Sequence, residues 1–167
     1  PEKVWDETST FGNLLNYKAD QGDGLYRRSI YTIWKRTAAP PSMLLFDAPN
    51  REICMPKRSR TNTPLQALAL LNEVTYVEAA RALAEKMLSI ESAKNSEDRL
   101  ILGYRLATGS SPNAETLSIL QDGLNKRRKR FLENPEAAKS LINQGSSTSR
   151  SGLDEVELAA YTSTANI

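Results

Sequence analysis

The sequence specifies a mainly α domain, an irregular helical fold whose extended N-terminal quarter has room for one or two short strands. Three observations lead there. From residue 63 onward, apolar residues recur at i, i+3, i+4 spacing over successive turns. Each of those runs is preceded by helix-start residues, such as Thr63-Pro64, Asn134-Pro135 and Asp154. The first quarter, by contrast, is polar and broken by glycine and proline. We divide the chain accordingly into an extended arm, 1–62, and a helical part, 63–167, of one partial domain. It opens PEKVW without an initiating methionine and stops inside the apolar pattern ELAAYTSTANI, so both ends read as cut.

Residues 1–24 offer only Trp5, Phe11, Leu14 and Leu15 as anchors and read as an arm packed by those side chains. In RRSIYTIWKR (27–36), Ile30, Thr32 and Trp34 alternate with Tyr31 and Ile33, which predicts a short strand, with a helical turn as the alternative. AAPPS then interrupts regular structure, SMLLF (42–46) is a second candidate strand, and DAPNRE is turn chemistry.

Thr63, Pro64 and Gln66 write a capping box with proline at the first helical position; the helix carries Leu65, Leu68 and Leu71 and ends near Asn72. Tyr76, Val77, Ala80, Leu83, Ala84, Met87 and Leu88 form the stripe of a second helix. These two helices, 63–88, are the expected heart of the fold, with Leu83→Ala costing about 2–5 kcal/mol. Ser96 is the expected cap of a third helix through Leu100, Ile101 and Tyr104, closed by Gly109. Ser111-Pro112 opens a fourth, striped by Leu117, Leu120, Leu124 and Phe131. Asn134-Pro135 opens a short fifth, GSSTSRSG (145–152) is a flexible surface connection, and Asp154 with Glu157 boxes the start of the last helix.

Composition narrows the chemistry. The chain of 167 residues has no histidine and one cysteine. An internal disulfide, a thiolate zinc cage, a Cys-x-x-Cys-His haem site and any His-dependent triad are therefore outside its reach. We expect no metal and no cofactor in this chain. Net charge is +2, from 22 basic and 20 acidic residues, which gives no global attraction to nucleic acid. No stretch approaches the roughly 18 apolar residues of a membrane span.

Charge is nevertheless local. Segment 25–60 carries eight cations against Asp47 and Glu52, with Tyr26, Tyr31 and Trp34 interleaved. Arginines there can brace unpaired carbonyls, or receive an acidic partner, an anionic polysaccharide or a carboxylate ligand. The start of the Thr63 helix adds exposed N–H groups and partial positive charge to Arg58 and Arg60. Arg51, Arg58, Arg60 and Thr63 are thus the candidate anion-binding residues. The bland occupant is an internal carboxylate, Asp47 or Glu52, and Arg60→Ala then costs about 1–3 kcal/mol. KRRKR (126–130) reads first as a solvated helix face, and nucleic-acid binding is disfavoured because only Phe131 could stack. Cys54 reads as a buried or half-buried structural thiol. Asp23, Asp47 and Glu52 read as ion-pair partners of nearby arginines rather than an acid/base pair.

FDAPNRE (46–52), RSRTNTPLQAL (58–68), LLNE (70–73) and VEAAR (77–81) stand in an order that resembles the DUF1553, or PSD1, family. YRLATGSSPNAETL (104–117) and ELAAYTSTANI (157–167) resemble it as well. The resemblance implies a C-terminal domain of large exported planctomycete proteins, periplasmic or extracellular, that also carry DUF1549-like and cytochrome c-like domains. Those domains are the expected partners, with an acidic or carbohydrate ligand as a further one. It carries no catalytic residues over, so catalytic positions stay unassigned and an enzyme is the less favoured outcome. The leading expectation is a non-catalytic helical scaffold or ligand-binding module. The alternatives are part of a polysaccharide-degrading enzyme using carboxylates at an interface with another domain, and a nucleic-acid-binding fragment.

Overall fold

The computed structural model describes residues 20, 22–32, 34, 39–50, 52–90, 93 and 95–167. Among them are seven α-helices: α1 (Pro41–Leu45), α2 (Pro64–Asn72), α3 (Val74–Ser89), α4 (Ser96–Thr108), α5 (Ala114–Glu133), α6 (Pro135–Ile142) and α7 (Glu155–Ala165). Two 3-10 turns, Gly22–Tyr26 and Ser29–Tyr31, precede α1. The chain divides into two units, Pro1–Ala69 and Leu70–Ile167.

The described part of the first unit is built from turns and short helices. Both candidate strands are corrected. Residues 42–45 lie in α1, because Pro41 at its first turn presets a helical φ and the Pro40 carbonyl accepts the amides of Met43 and Leu44. Ser29–Tyr31 is a 3-10 turn with Ile30 and Tyr31 exposed; no described strand lies beside it to pair its amides. The remaining residues of that expectation, Ile33, Lys35 and Arg36, and the anchors Trp5, Phe11, Leu14 and Leu15, lie outside the described residues.

The second unit is a helical bundle with α7 at its centre. Leu158, Ala159, Ala160, Tyr161, Thr162 and Thr164 of this 11-residue helix are buried, and α3, α5 and α6 pack on it. A helix covered nearly all round is a core helix, and its two consecutive alanines let neighbours approach. The core adds Ala84 and Met87 from α3, Leu100 from α4, Leu124 and Phe131 from α5, and Ala138 and Ile142 from α6. The expected stripes of α3, α4 and α5 therefore face inward.

The expectation that 63–88 is the heart holds for α3 and fails for α2. Leu65, Leu68 and Leu71 are exposed, and only Gln66 of α2 is buried. Leu83 is half-buried at the edge of the core. Two caps also shift. Asn95, not Ser96, caps α4 by accepting the Asp98 amide at 2.7 Å, and Asn113, not Ser111-Pro112, caps α5 through the Thr116 amide at 2.7 Å. Either side chain satisfies one of the amides left without a partner at the helix start. Asn134 and Asp154 cap α6 and α7 as expected, and Gly109 closes α4 at φ 75°.

The connection 145–152 is not a free tether. Arg81, only 2% exposed, donates to the carbonyls of Ile142, Gln144 and Ser147 and to the Ser147 hydroxyl. Glu78 and Glu85 lie 3.7 Å from its guanidinium and accept the amides of Ser147 and Arg150. Gly145, at φ 97°, is where this grip demands glycine: an added Cβ would sit 2.4 Å from the Glu78 carboxyl carbon.

Candidate functional site

In the first unit, the DAPN turn and the start of α2 are joined around Asp47. Asp47 adopts φ 59°, a left-handed conformation that aspartate tolerates better than bulky residues. That turn aims its carboxylate at Thr61, whose amide donates at 2.7 Å and whose hydroxyl donates at 2.9 Å. Gln66 secures the same corner. Its side-chain oxygen accepts the Thr63 amide at 3.1 Å, while its side-chain NH2 donates to the Leu45 carbonyl at 2.8 Å and to the Thr61 hydroxyl oxygen at 3.0 Å. The Thr63 hydroxyl accepts the Gln66 amide at 3.3 Å, closing the expected capping box. The hydrogen bonds from Thr61, backbone first and hydroxyl second, hold the Asp47 carboxyl below the usual carboxylate range; Arg58 adds a smaller pull.

Beside this corner opens a cavity of about 1150 Å³, lined by Phe46, Met55, Lys57, Arg58, Ser59 and Arg60 together with Asp47, Thr61 and Gln66. The four expected anion-binding residues separate here. Arg51 lies outside the described residues. Arg58 lines the cavity but spends part of its guanidinium on the Asp47 carbonyl, at 3.2 Å, and the Phe46 carbonyl, at 3.4 Å. Thr63 is absorbed in the capping box and does not line the cavity. Arg60 is exposed on the lining and makes no hydrogen bond or ion pair among the described residues.

The bland occupant is thus half right. Asp47 does lock the DAPN turn onto the approach to α2, but through Thr61, an uncharged residue that charge matching does not select. Asp47 pairs by hydrogen bonds rather than by an arginine salt bridge, and no ion pair to Glu52 occurs among the described residues. Lys57 joins the site from the cluster already visible in the sequence. Cys54 is exposed, not buried or half-buried, and the neighbouring Ile53 is exposed with it.

KRRKR is likewise not uniformly solvated. Arg128 binds Glu157 through a two-pronged pair at 2.7 and 2.9 Å, donates to the Ser96 hydroxyl at 3.0 Å, and lies 5.6 Å from the Tyr161 ring centre. Ser96, freed from capping, serves this arginine.

The helical fold thus presents a cationic recess on which Asp47 is the one carboxylate among the described lining residues. Among the described residues no group of three metal-ligating side chains gathers, and no helix is long and apolar enough to cross a membrane. The family model for PSD1, protein of unknown function (DUF1553), matches residues 3–124, and the chain belongs to that family. The match includes the cavity, α1 to α4 and the first half of α5. No curated protein and no solved structure matches the chain.

Proposed function

We propose that this domain is a non-catalytic module of an exported multidomain protein, and that its first unit receives a carboxylate-bearing ligand such as an acidic polysaccharide. The observation that carries the reading is Arg60, an exposed guanidinium without a partner among the described residues, beside Lys57 and Arg58 on the rim of an open cavity. The carboxylate best placed to neutralise these cations is already committed to Thr61. Guanidinium forks suit planar carboxylates, and repeated uronate groups would engage several cations at once. A carboxylate held ionised by Thr61 is a poor general acid, which weighs against the hydrolase alternative. Domains of the DUF1549 and cytochrome c type, and the exported setting, come into this reading from the family resemblance alone.

Titration of the 167-residue chain with an oligogalacturonate and with a neutral oligosaccharide of equal length tests the reading. Expected are saturable, salt-sensitive binding of the acidic oligomer only, and about tenfold weaker binding in Arg60→Ala, the loss of one charge-assisted contact. Equal binding of both oligomers, or an unaffected Arg60→Ala, refutes it. A leader and a Cys-x-x-Cys-His motif in the complete reading frame of the parent test the exported, cytochrome-associated setting.

A further inference from the structure

A separate cavity of about 350 Å³ lies in the helical unit, lined by Gly123, Lys126, Arg127, Arg130, Phe131 and Ser163. Gly123, Lys126, Arg127 and Arg130 fall at i, i+3, i+4 and i+7, one stripe of α5. The basic run therefore divides: Arg128 is taken by Glu157 of α7, while its neighbours Lys126, Arg127 and Arg130 line this recess with the hydroxyl residue Ser163.

Arg127 is the informative member. It is half-buried and, among the described residues, makes no hydrogen bond or ion pair. No carboxylate is among the described residues that line it. The contrast with the adjacent, similarly sheltered Arg128 is direct. Hydrogen bonding to Glu157 strengthens the hold of Arg128 on its proton, whereas desolvation without a counter-charge weakens that of Arg127. Gly123 makes the seat. An added Cβ there would stand 2.5 Å from Nη1 of Arg127, so a larger residue would push this flexible side-chain tip aside from the place it now holds. Glycine in mid-helix is destabilising relative to alanine, and here it opens the space the guanidinium occupies.

A sheltered guanidinium lacking an anion, flanked by two more cations and a hydroxyl, has the chemistry of an oxyanion site. We propose that this recess binds the phosphate or sulfate group of a small molecule. Arg127 supplies the fork, Lys126 and Arg130 the charge for a dianion, and Ser163 a hydroxyl donor. The inference stands apart from the first-unit cavity and does not depend on it.

Amide NMR of the full 167-residue chain at low ionic strength, titrated with inorganic phosphate and separately with a sugar phosphate, reads the two cavities independently. Gly123 and Ser163 report this recess; Thr61 and Gln66 report the other. Saturable shifts at Gly123 and Ser163 are expected. Binding should weaken about tenfold in Arg127→Gln through loss of a charge-assisted fork, weaken also in Gly123→Ala, and be unchanged in Lys129→Gln, an exposed cation outside the stripe. A sugar phosphate that binds more tightly than inorganic phosphate identifies an ester as the carrier, and equal affinity a free ion. Absence of saturable shifts at these two amides overturns the proposal. So do an Arg127→Gln variant that binds like wild type, a Lys129→Gln variant as weak as Arg127→Gln, or a short DNA duplex that outcompetes both small anions.

Discussion

Two loops of this protein are held by the same kind of chemistry in opposite surroundings. In the helical unit, the connection after α6 is gripped by Arg81, flanked by Glu78 and Glu85. In the first unit, the DAPN turn is gripped by Asp47, Thr61 and Arg58. Neither loop has a strand partner among the described residues, so its carbonyls and amides need side chains to satisfy them. Arg81 does this while nearly sealed from water, and its loss would leave carbonyls and carboxylates stranded. Arg58 and its neighbours do it in contact with solvent, where water can replace them. A buried brace is committed to structure; an exposed one retains capacity for a ligand.

The sharpest way to break that comparison is to remove Arg81. Arg81→Met keeps most of the volume but leaves Glu78 without its cation, and we expect a loss of about 3–5 kcal/mol in urea unfolding of the chain. A loss below about 1 kcal/mol, the range of exposed pairs, would put the two braces on an equal footing. Core truncation comes next. Leu158→Ala in α7 should cost about 2–5 kcal/mol, half-buried Leu83→Ala less, and exposed Leu68→Ala no more than about 0.5 kcal/mol. The reverse order would restore 63–88 as the heart of the fold.

The exposed brace is tested by protons rather than by denaturant. Because the folded Asp47 carboxyl holds its proton less firmly than in the unfolded chain, its contribution is complete above the ordinary aspartate pKa of about 4 and is lost as pH falls through the lower folded value. Hydrogen-exchange protection of the Thr61 amide should fall over that acid range and be reduced at neutral pH in Asp47→Asn. Protection indifferent to both changes would show that the DAPN turn is held by something else. The smallest stability effect belongs to Arg60→Ala, expected within about 0.5 kcal/mol of wild type. That replaces the 1–3 kcal/mol expected from a bracing role, since Arg60 braces nothing among the described residues. A cost above about 1 kcal/mol would return Arg60 to the structural brace.

Much of the helical plan was legible along the chain, because caps and apolar periodicity are local. The Thr63–Gln66 box, the breaks at Asn72 and Gly109, and the starts at Asn134 and Asp154 all follow from residues within one turn of each other. Arg81 carries a local cue of its own: it sits inside the apolar stripe between Val77 and Ala84, where a solvated cation does not belong. What the local pattern could not supply was which stripe meets which. The apolar residues of α2 satisfy helical spacing as well as those of α7, yet only α7 is enclosed, because α3, α5 and α6 converge on it from positions far apart in the chain. The same limit governs the sites. The cationic cluster 57–60 was visible as composition, and its division into a bracing Arg58 and an unpaired Arg60 was decided by where the DAPN turn and Thr61 come together. KRRKR gave five adjacent charges; the fold assigned Arg128 to Glu157 and left Arg127 over Gly123. Charge is written in the chain, but whether a charge is paired depends on distances that only tertiary structure sets.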